Sequence, residues 1–280
     1  MTHDAKTSAQ DRKAPHAPLT AKEEWSEFAR TALIAVILAL VVRSFLLEPF
    51  NIPSGSMKPT LEVGDYLFVS KPAYGYSRYS FPFGMAPIEG RMMAKLPQRG
   101  DIAVFKLPTN TGIDYIKRVI GLPGDAIQVT NGRLYINHQM VERQPVGLKE
   151  IEEEGGSIST PMEYLETLPG GVIHRIYEES DNGPLDNTKE FVVPDGHYFM
   201  MGDNRDNSQD SRVQNVVGFV PFENIVGRAS FLFFSTNGHA NLLEVWKWPW
   251  SIRYNRLFMS VEPVHGPDKA QKKAADDSAK

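Results

Sequence analysis

The chain has 280 residues, 30 basic and 34 acidic side chains for a formal net charge of −4, and 41% hydrophobic residues. That apolar fraction supports a packed core of one large or two modest domains, and the balanced charge argues against a general nucleic-acid binder. With no cysteine, thiol nucleophiles, disulfides, Cys-ligated zinc and iron–sulfur clusters are excluded. The 20 prolines and 22 glycines point to many turns and a β-rich body.

Residues 1–24 are polar and irregular and read as a disordered tail. TALIAVILALVV at 31–42 carries no charge. Alone it falls short of the roughly 20 residues that cross a bilayer. The stretch 28–47 reaches that length if Arg30 and Arg43 extend toward the headgroups, and Trp25 takes an interfacial position. A buried core helix would show a similar run. A cleaved signal peptide fits less well, because RSFLL at 43–47 follows with no small-x-small cleavage pattern. Residues 25–47 therefore read as an uncleaved signal anchor. Lys6, Arg12, Lys13, Lys22 and Arg30 precede the apolar run, whereas 44–64 holds only Lys58. The positive-inside rule then leaves the N-terminus in the cytoplasm and the remainder outside.

Beyond the anchor come short β-type runs at 65–70, 101–106 and 114–121. A hairpin is predicted at 126–130 and 133–136, since Asn131-Gly132 favours the turn that matches strand twist. Further runs lie at 191–193, 197–201 and 229–234. No long 3.6-residue pattern follows the anchor, so the body is predicted to be mostly antiparallel β. The segment 76–98, rich in Pro, Gly, Phe and Met, reads as a projecting loop or ribbon. The segment 137–187 is acidic and irregular, and its Glu152-Glu153-Glu154 run reads as a solvated surface. Residues 261–280 read as a disordered tail.

Several chemistries are absent. His3, His16, His138, His174, His197, His239 and His265 form no HExxH pair and show no metal spacing. There is no GxGxxG, P-loop, GxSxG or SxxK pattern. DNRDNSQD at 203–210 lacks the sixth-position Gly and twelfth-position Glu of a calcium loop. No cofactor and no metal are expected.

Three segments carry candidate chemistry. In PSGSMKPTL at 53–61, a Ser-Gly-Ser turn between prolines suits an exposed hydroxyl beside its own backbone amide, although the motif alone reads more readily as an ordinary linker. In YIKRVIGLPGD at 115–125, strand alternation puts Tyr115, Lys117 and Val119 on one face and Ile116, Arg118 and Ile120 on the other. A strand buried on both sides would desolvate Lys117 into a base, which arginine cannot become; an edge strand would leave it solvated. GDNRDNSQDSR at 202–212 is too polar to build a core. It suits either a rigid hydrogen-bonded loop that positions other groups or a solvated one.

Together these segments resemble the bacterial type I signal peptidases (leader peptidases). The resemblance rests on EPFNIPSGSMKPTLEVGDYLFVSK at 48–71, RGDIAVFK at 99–106, DYIKRVIGLPGD at 114–125 and GDNRDNSQDSR at 202–212, in the family's order behind an anchor. It covers the membrane segment and most of 48–130 and 196–257. The resemblance implies Ser56 as nucleophile and Lys117 as general base. It implies Ser54 as an oxyanion donor and Ser208 as the hydroxyl that orients the lysine. It implies Asp203, Asp210, Arg212 and Arg118 as the supporting network. The cysteine pair that some relatives carry in the insertion is absent, and there is one anchor where some relatives have two.

The implied fold is mostly β, with a single N-terminal transmembrane helix, an antiparallel β catalytic domain at 48–125 and 196–260, and an inserted second β-rich domain at 126–195. The implied activity is removal of signal peptides from exported preproteins after Ala-x-Ala sites, in a single-pass protein of the inner membrane with its catalytic domain on the periplasmic side. Its partners are then preproteins and membrane lipid, with no nucleic acid and no metal. Trp246, Trp248 and Trp250 read as a lipid-inserting cluster or as core, and Phe81, Phe83 and Met85 as a weaker lipid contact. A self-cleaving repressor protease with a Ser–Lys dyad would need a DNA-binding domain that residues 1–30 do not supply. A membrane-anchored β-sandwich that only binds partners is the reading from another class.

Overall fold

The computed structural model describes residues 20–81, 84, 86–153, 156–238 and 243–266. The chain divides into two units, Met1–Val41 and Val42–Lys280. Helix Ala21–Phe45 occupies the described part of the first and runs into the second. Its Glu24–Phe45 stretch has a mean hydropathy of 2.0 and is long and apolar enough to cross a membrane. Leu33, Ile34, Ile37, Leu38 and Val41 are all exposed. A core helix would bury one stripe, so the core reading does not hold. The helix starts at Ala21, inside the expected tail, and stops at Phe45, because Leu47 already pairs with Ser70 in a sheet.

The second unit is built on a seven-stranded sheet. Across it the strands run Leu47–Asn51, Asp65–Ser70, Ile225–Ser235, Ile102–Leu107, Asn110–Gly121, His197–Met201 and Val220–Pro221. Every pairing is antiparallel. Two apolar clusters lie against this sheet. Ile52, Met57, Leu61, Leu67, Ile102 and Val104 form one, with Ile116 packed on it. Phe105, Val119, Tyr198 and Met200 form another, with Tyr115. The Asn110–Gly121 strand therefore feeds apolar side chains to both faces, which places Lys117 and Arg118 in a setting buried on two sides.

The Ala126–Thr130 and Arg133–Ile136 strands form the predicted hairpin, with Asn131 and Gly132 both at positive φ (47° and 67°). The segment 137–187 is not irregular. Glu142–Leu148, Met162–Leu168 and Val172–Glu178 pair antiparallel, with Val264–His265 at the edge. These strands hid from pattern reading because their inward positions include charged side chains that find partners. Glu163 is buried beside Arg175, and Glu166 beside Arg205. Residues 261–266 likewise depart from a disordered tail, as Val261 is buried in the core and Val264 packs on Leu165 and Ile173.

In the 76–98 segment, Tyr76 and Met92 exchange backbone hydrogen bonds at 2.9 and 2.8 Å, closing a loop. The Arg91 guanidinium holds its base by donating to the Gly75 and Phe222 carbonyls, each at 2.8 Å. Phe83 and Met85 lie outside the described residues. The three tryptophans divide. Trp246 and Trp250 are 66% and 80% exposed, while Trp248 packs on Phe234 at 5.0 Å between ring centroids.

Candidate active site

Ser56 sits in the short 3-10 turn Gly55–Met57, with Ser54 capping it in extended conformation. The turn is pinned from below. Met57 and Leu61 are fully buried in the core, and the Leu61 amide donates to the Met57 carbonyl at 2.9 Å. The apolar neighbours at 57 and 61 take the inward positions, and Ser54 and Ser56 are left half-buried.

Lys117 reaches this turn from the Asn110–Gly121 strand. Its Nζ donates to Ser56 Oγ at 2.6 Å and to the Ile116 carbonyl at 3.0 Å. Lys117 is 4% exposed. Burial pulls its pKa down to about 8, against Asp210 and Asp203, whose charges favour the ammonium. Ser54 Oγ lies 3.4 Å from Ser56 Oγ.

The polar loop at 202–212 closes the site from the other side. Arg118 grips Asp203 with two parallel hydrogen bonds, Nε to Oδ1 at 2.8 Å and Nη2 to Oδ2 at 2.6 Å, and donates to the Gly100 carbonyl at 2.7 Å. Arg212 holds Asp210 in the same forked way, with both bonds at 2.9 Å. Burial alone would raise both carboxyls; the guanidinium beside each overrides it and holds both below the ordinary Asp value. Asp210 also accepts from the Gly202 amide at 3.0 Å. The Asn204 amide donates to the Ser56 carbonyl and its side chain to the Gly55 carbonyl, each at 3.2 Å. One loop thus fixes the backbone of the other.

Ser208 is buried, and its hydroxyl has no hydrogen-bond partner among the described residues; it makes no bond to Lys117. It packs against Gly202, where an added Cβ would lie 2.2 Å from Ser208 Oγ and 2.5 Å from the Ser56 carbonyl oxygen. Only glycine lets the two serine-bearing segments approach this closely.

The structure adds residues that sequence reasoning did not single out, most of them from 137–187 and one, Asp206, from the polar loop itself. Glu166 pairs with Arg205 through both carboxylate oxygens. Tyr177 bridges the loop by backbone, its amide donating to Asp203 and its carbonyl accepting from Arg205, each at 2.9 Å. Asp206 Oδ2 accepts from the amides of Glu179 and Ser180 at 2.6 and 3.1 Å. Glu153, read as solvated, turns inward and accepts from Asn207 Nδ2 at 2.9 Å. Long-range partners of this kind leave no spacing signal. The one hint was the excess of charge in 137–187.

Glu178, Asp186 and Asp206 bring carboxylate oxygens within 4.8 Å of one another. Burial, the leading cause, pushes Glu178 up to about 8.

The family described as Signal peptidase, peptidase S26, matches residues 25–234. A Signal peptidase I of Rickettsia conorii (strain Malish 7) is 44% identical over 259 residues, covering 86% of this chain and 94% of the relative. That of Rickettsia typhi (strain Wilmington) is 42% identical over 262 residues, covering 88% and 96%. A crystal structure of a signal peptidase I from Enterococcus faecalis V583 aligns with 48% of this chain and 97% of its own at 28% identity. Its TM-score is 0.29, too low to bear on the fold.

Proposed function

Because the chain belongs to the signal peptidase family, peptidase S26, we propose that it is a membrane-anchored serine endopeptidase that frees exported preproteins from their signal peptides. The observation that carries this reading is the 2.6 Å contact between Ser56 Oγ and the buried Lys117 amine. A lysine at its ordinary pKa is almost wholly protonated at neutral pH and cannot act as a base. At about 8, roughly a tenth of it is neutral at pH 7.

The neutral Lys117 amine takes the Ser56 hydroxyl proton as Oγ attacks the scissile carbonyl. The oxyanion is met by the Ser56 amide and the Ser54 hydroxyl. As the carbon–nitrogen bond breaks, Lys117 returns the proton to the leaving amine. Water, deprotonated by Lys117, then cleaves the acyl ester and regenerates Ser56. Ser208 is assigned the orienting of the amine; it is buried beside Gly202 and its hydroxyl has no other partner among the described residues. Arg118, Asp203, Asp210 and Arg212 hold the loops in register.

Substrates carry small residues at −3 and −1, usually Ala-x-Ala, and are held in the bilayer by their signal peptides. Helix Ala21–Phe45 anchors the enzyme in the bacterial inner membrane with the second unit on the periplasmic side. Such anchoring raises the effective concentration of membrane-bound substrate. The exposed Trp246 and Trp250 rings contact the outer headgroup layer.

The test is cleavage of a preprotein with an Ala-x-Ala site by the detergent-solubilised protein, beside Ser56→Ala and Lys117→Ala with matched circular dichroism. Wild type alone should cut, after the second Ala. Equal cutting by all three would point to a contaminant or another site. Inactivity of a folded wild type would favour a membrane-anchored binding protein.

A further inference from the structure

The short hairpin of Ile151–Glu152 and Ile158–Ser159 stands over the Ser56 turn. Its Glu153 side chain is only 11% exposed. Glu153 Oε2 accepts from Asn207 Nδ2 at 2.9 Å and lies 3.8 Å from Lys58 Nζ. The same oxygen is 3.6 Å from the point where a Cβ on Gly55 would stand. Lys58 Nζ also donates to the Glu152 carbonyl, and Glu153 Oε1 accepts from the Ser159 hydroxyl at 3.3 Å. Asn207 precedes Ser208, and Lys58 follows Ser56 by two positions. One carboxylate therefore ties together the two loops that carry the proposed nucleophile and the serine beside Gly202.

We propose that Glu153 is a positioning residue for the proteolytic reaction, clipping Asn207 to the Ser56 turn through Lys58 so that the nucleophile is held at attack geometry. The proposal rests on the Ser56–Lys117 reading and assigns a role to the inserted hairpin. A carboxylate suits this place because it accepts from a neutral amide and attracts an ammonium at once; a carboxamide there keeps an oxygen for Lys58 while its nitrogen donates to an acidic partner at 207. Small displacements of a reacting atom cost large factors in rate, whereas Glu153 touches neither Ser56 Oγ nor Lys117.

The experiment measures kcat and KM on a peptide with an Ala-x-Ala site for wild type, Glu153→Ala, Asn207→Asp and the double variant Asn207→Asp with Glu153→Gln, Ser56→Ala being the blank. Glu153→Ala should lower kcat about tenfold with KM within about twofold, the signature of lost positioning. Asn207→Asp sets two carboxylates against each other and should lower kcat at least as far. Adding Glu153→Gln restores a donor–acceptor pair with the roles reversed, and kcat should recover to within about threefold of wild type. Full kcat in Glu153→Ala, or no recovery in the double variant, overturns the proposal. If Glu153→Ala fails to fold by circular dichroism, the reversal pair alone decides. Wild-type turnover no higher than the Ser56→Ala blank would instead overturn the dyad reading.

Discussion

Lys117 is the residue on which the chemistry and the stability of this protein pull in opposite directions. Its folded pKa of about 8 lies below its ordinary 10.5. Between those values the unfolded chain binds more protons, so stability rises with pH across the window from about 8 to 10.5. Below it, the folded protein carries a buried ammonium at a cost of about 3 kcal/mol. Lys117→Met should therefore abolish cleavage yet raise the thermal midpoint at pH 7 by about 5 °C, with the gain shrinking toward pH 10. A midpoint that falls, or a gain independent of pH, would refute this account. In the wild type, kcat/KM should climb about fivefold from pH 7 to 8 and level off above about pH 9. A rise displaced beyond pH 10 would mean a solvated lysine.

At the scale of elements, the insertion does more than decorate the sheet. The Met162–Leu168 and Val172–Glu178 strands deliver Glu166 and the Tyr177 backbone to the loop at 202–212. Arg205 is buried, and its guanidinium also donates to the Gly202 carbonyl at 3.2 Å. Glu166→Gln removes the hydrogen-bonded counter-charge of that buried cation and leaves it only the charges of Glu178 and Asp203; breaking a buried pair in this way costs about 3–5 kcal/mol. The expected result is a thermal midpoint lower by about 10 °C and a loss of activity at temperatures where the variant is still folded. Unchanged stability would show that Arg205 finds another partner. His174 lies 3.3 Å from Glu166. Burial, then the charges of Arg118 and Arg205, keep it neutral at physiological pH, so it adds no second cation beside Arg205.

Across the whole molecule, the two units separate at 41/42, and the second contains all the candidate site residues. A chain beginning at Val42 should fold, cleave a soluble Ala-x-Ala peptide at a rate within about threefold of the full protein, and process membrane-embedded preprotein far more slowly, because the tethering advantage is lost. Peptide and proteoliposome assays run side by side check this. Equal processing of both substrates would remove the anchor from the mechanism. Residual binding to lipid vesicles, weakened by Trp250→Ala, would tie the exposed tryptophans to the headgroup layer.

The sequence by itself determined the elements whose signals are local. The apolar run at 31–42 set the helix, and Asn131-Gly132 set a hairpin, because a turn with two positive φ values is encoded in two residues. The motifs around Ser56, Lys117 and 202–212 marked the candidate site, but their residues alone favoured a linker and a solvated lysine and left a plain polar loop open. Burial and distance come from the fold. It buried the Asn110–Gly121 strand on both faces, which lowers the pKa of Lys117. It set Gly202 between Ser56 and Ser208. It also turned Glu153 and Glu166 inward from the acidic segment at 137–187. A charged side chain looks the same in sequence whether water or a distant guanidinium or amide satisfies it, and only the fold supplies that partner.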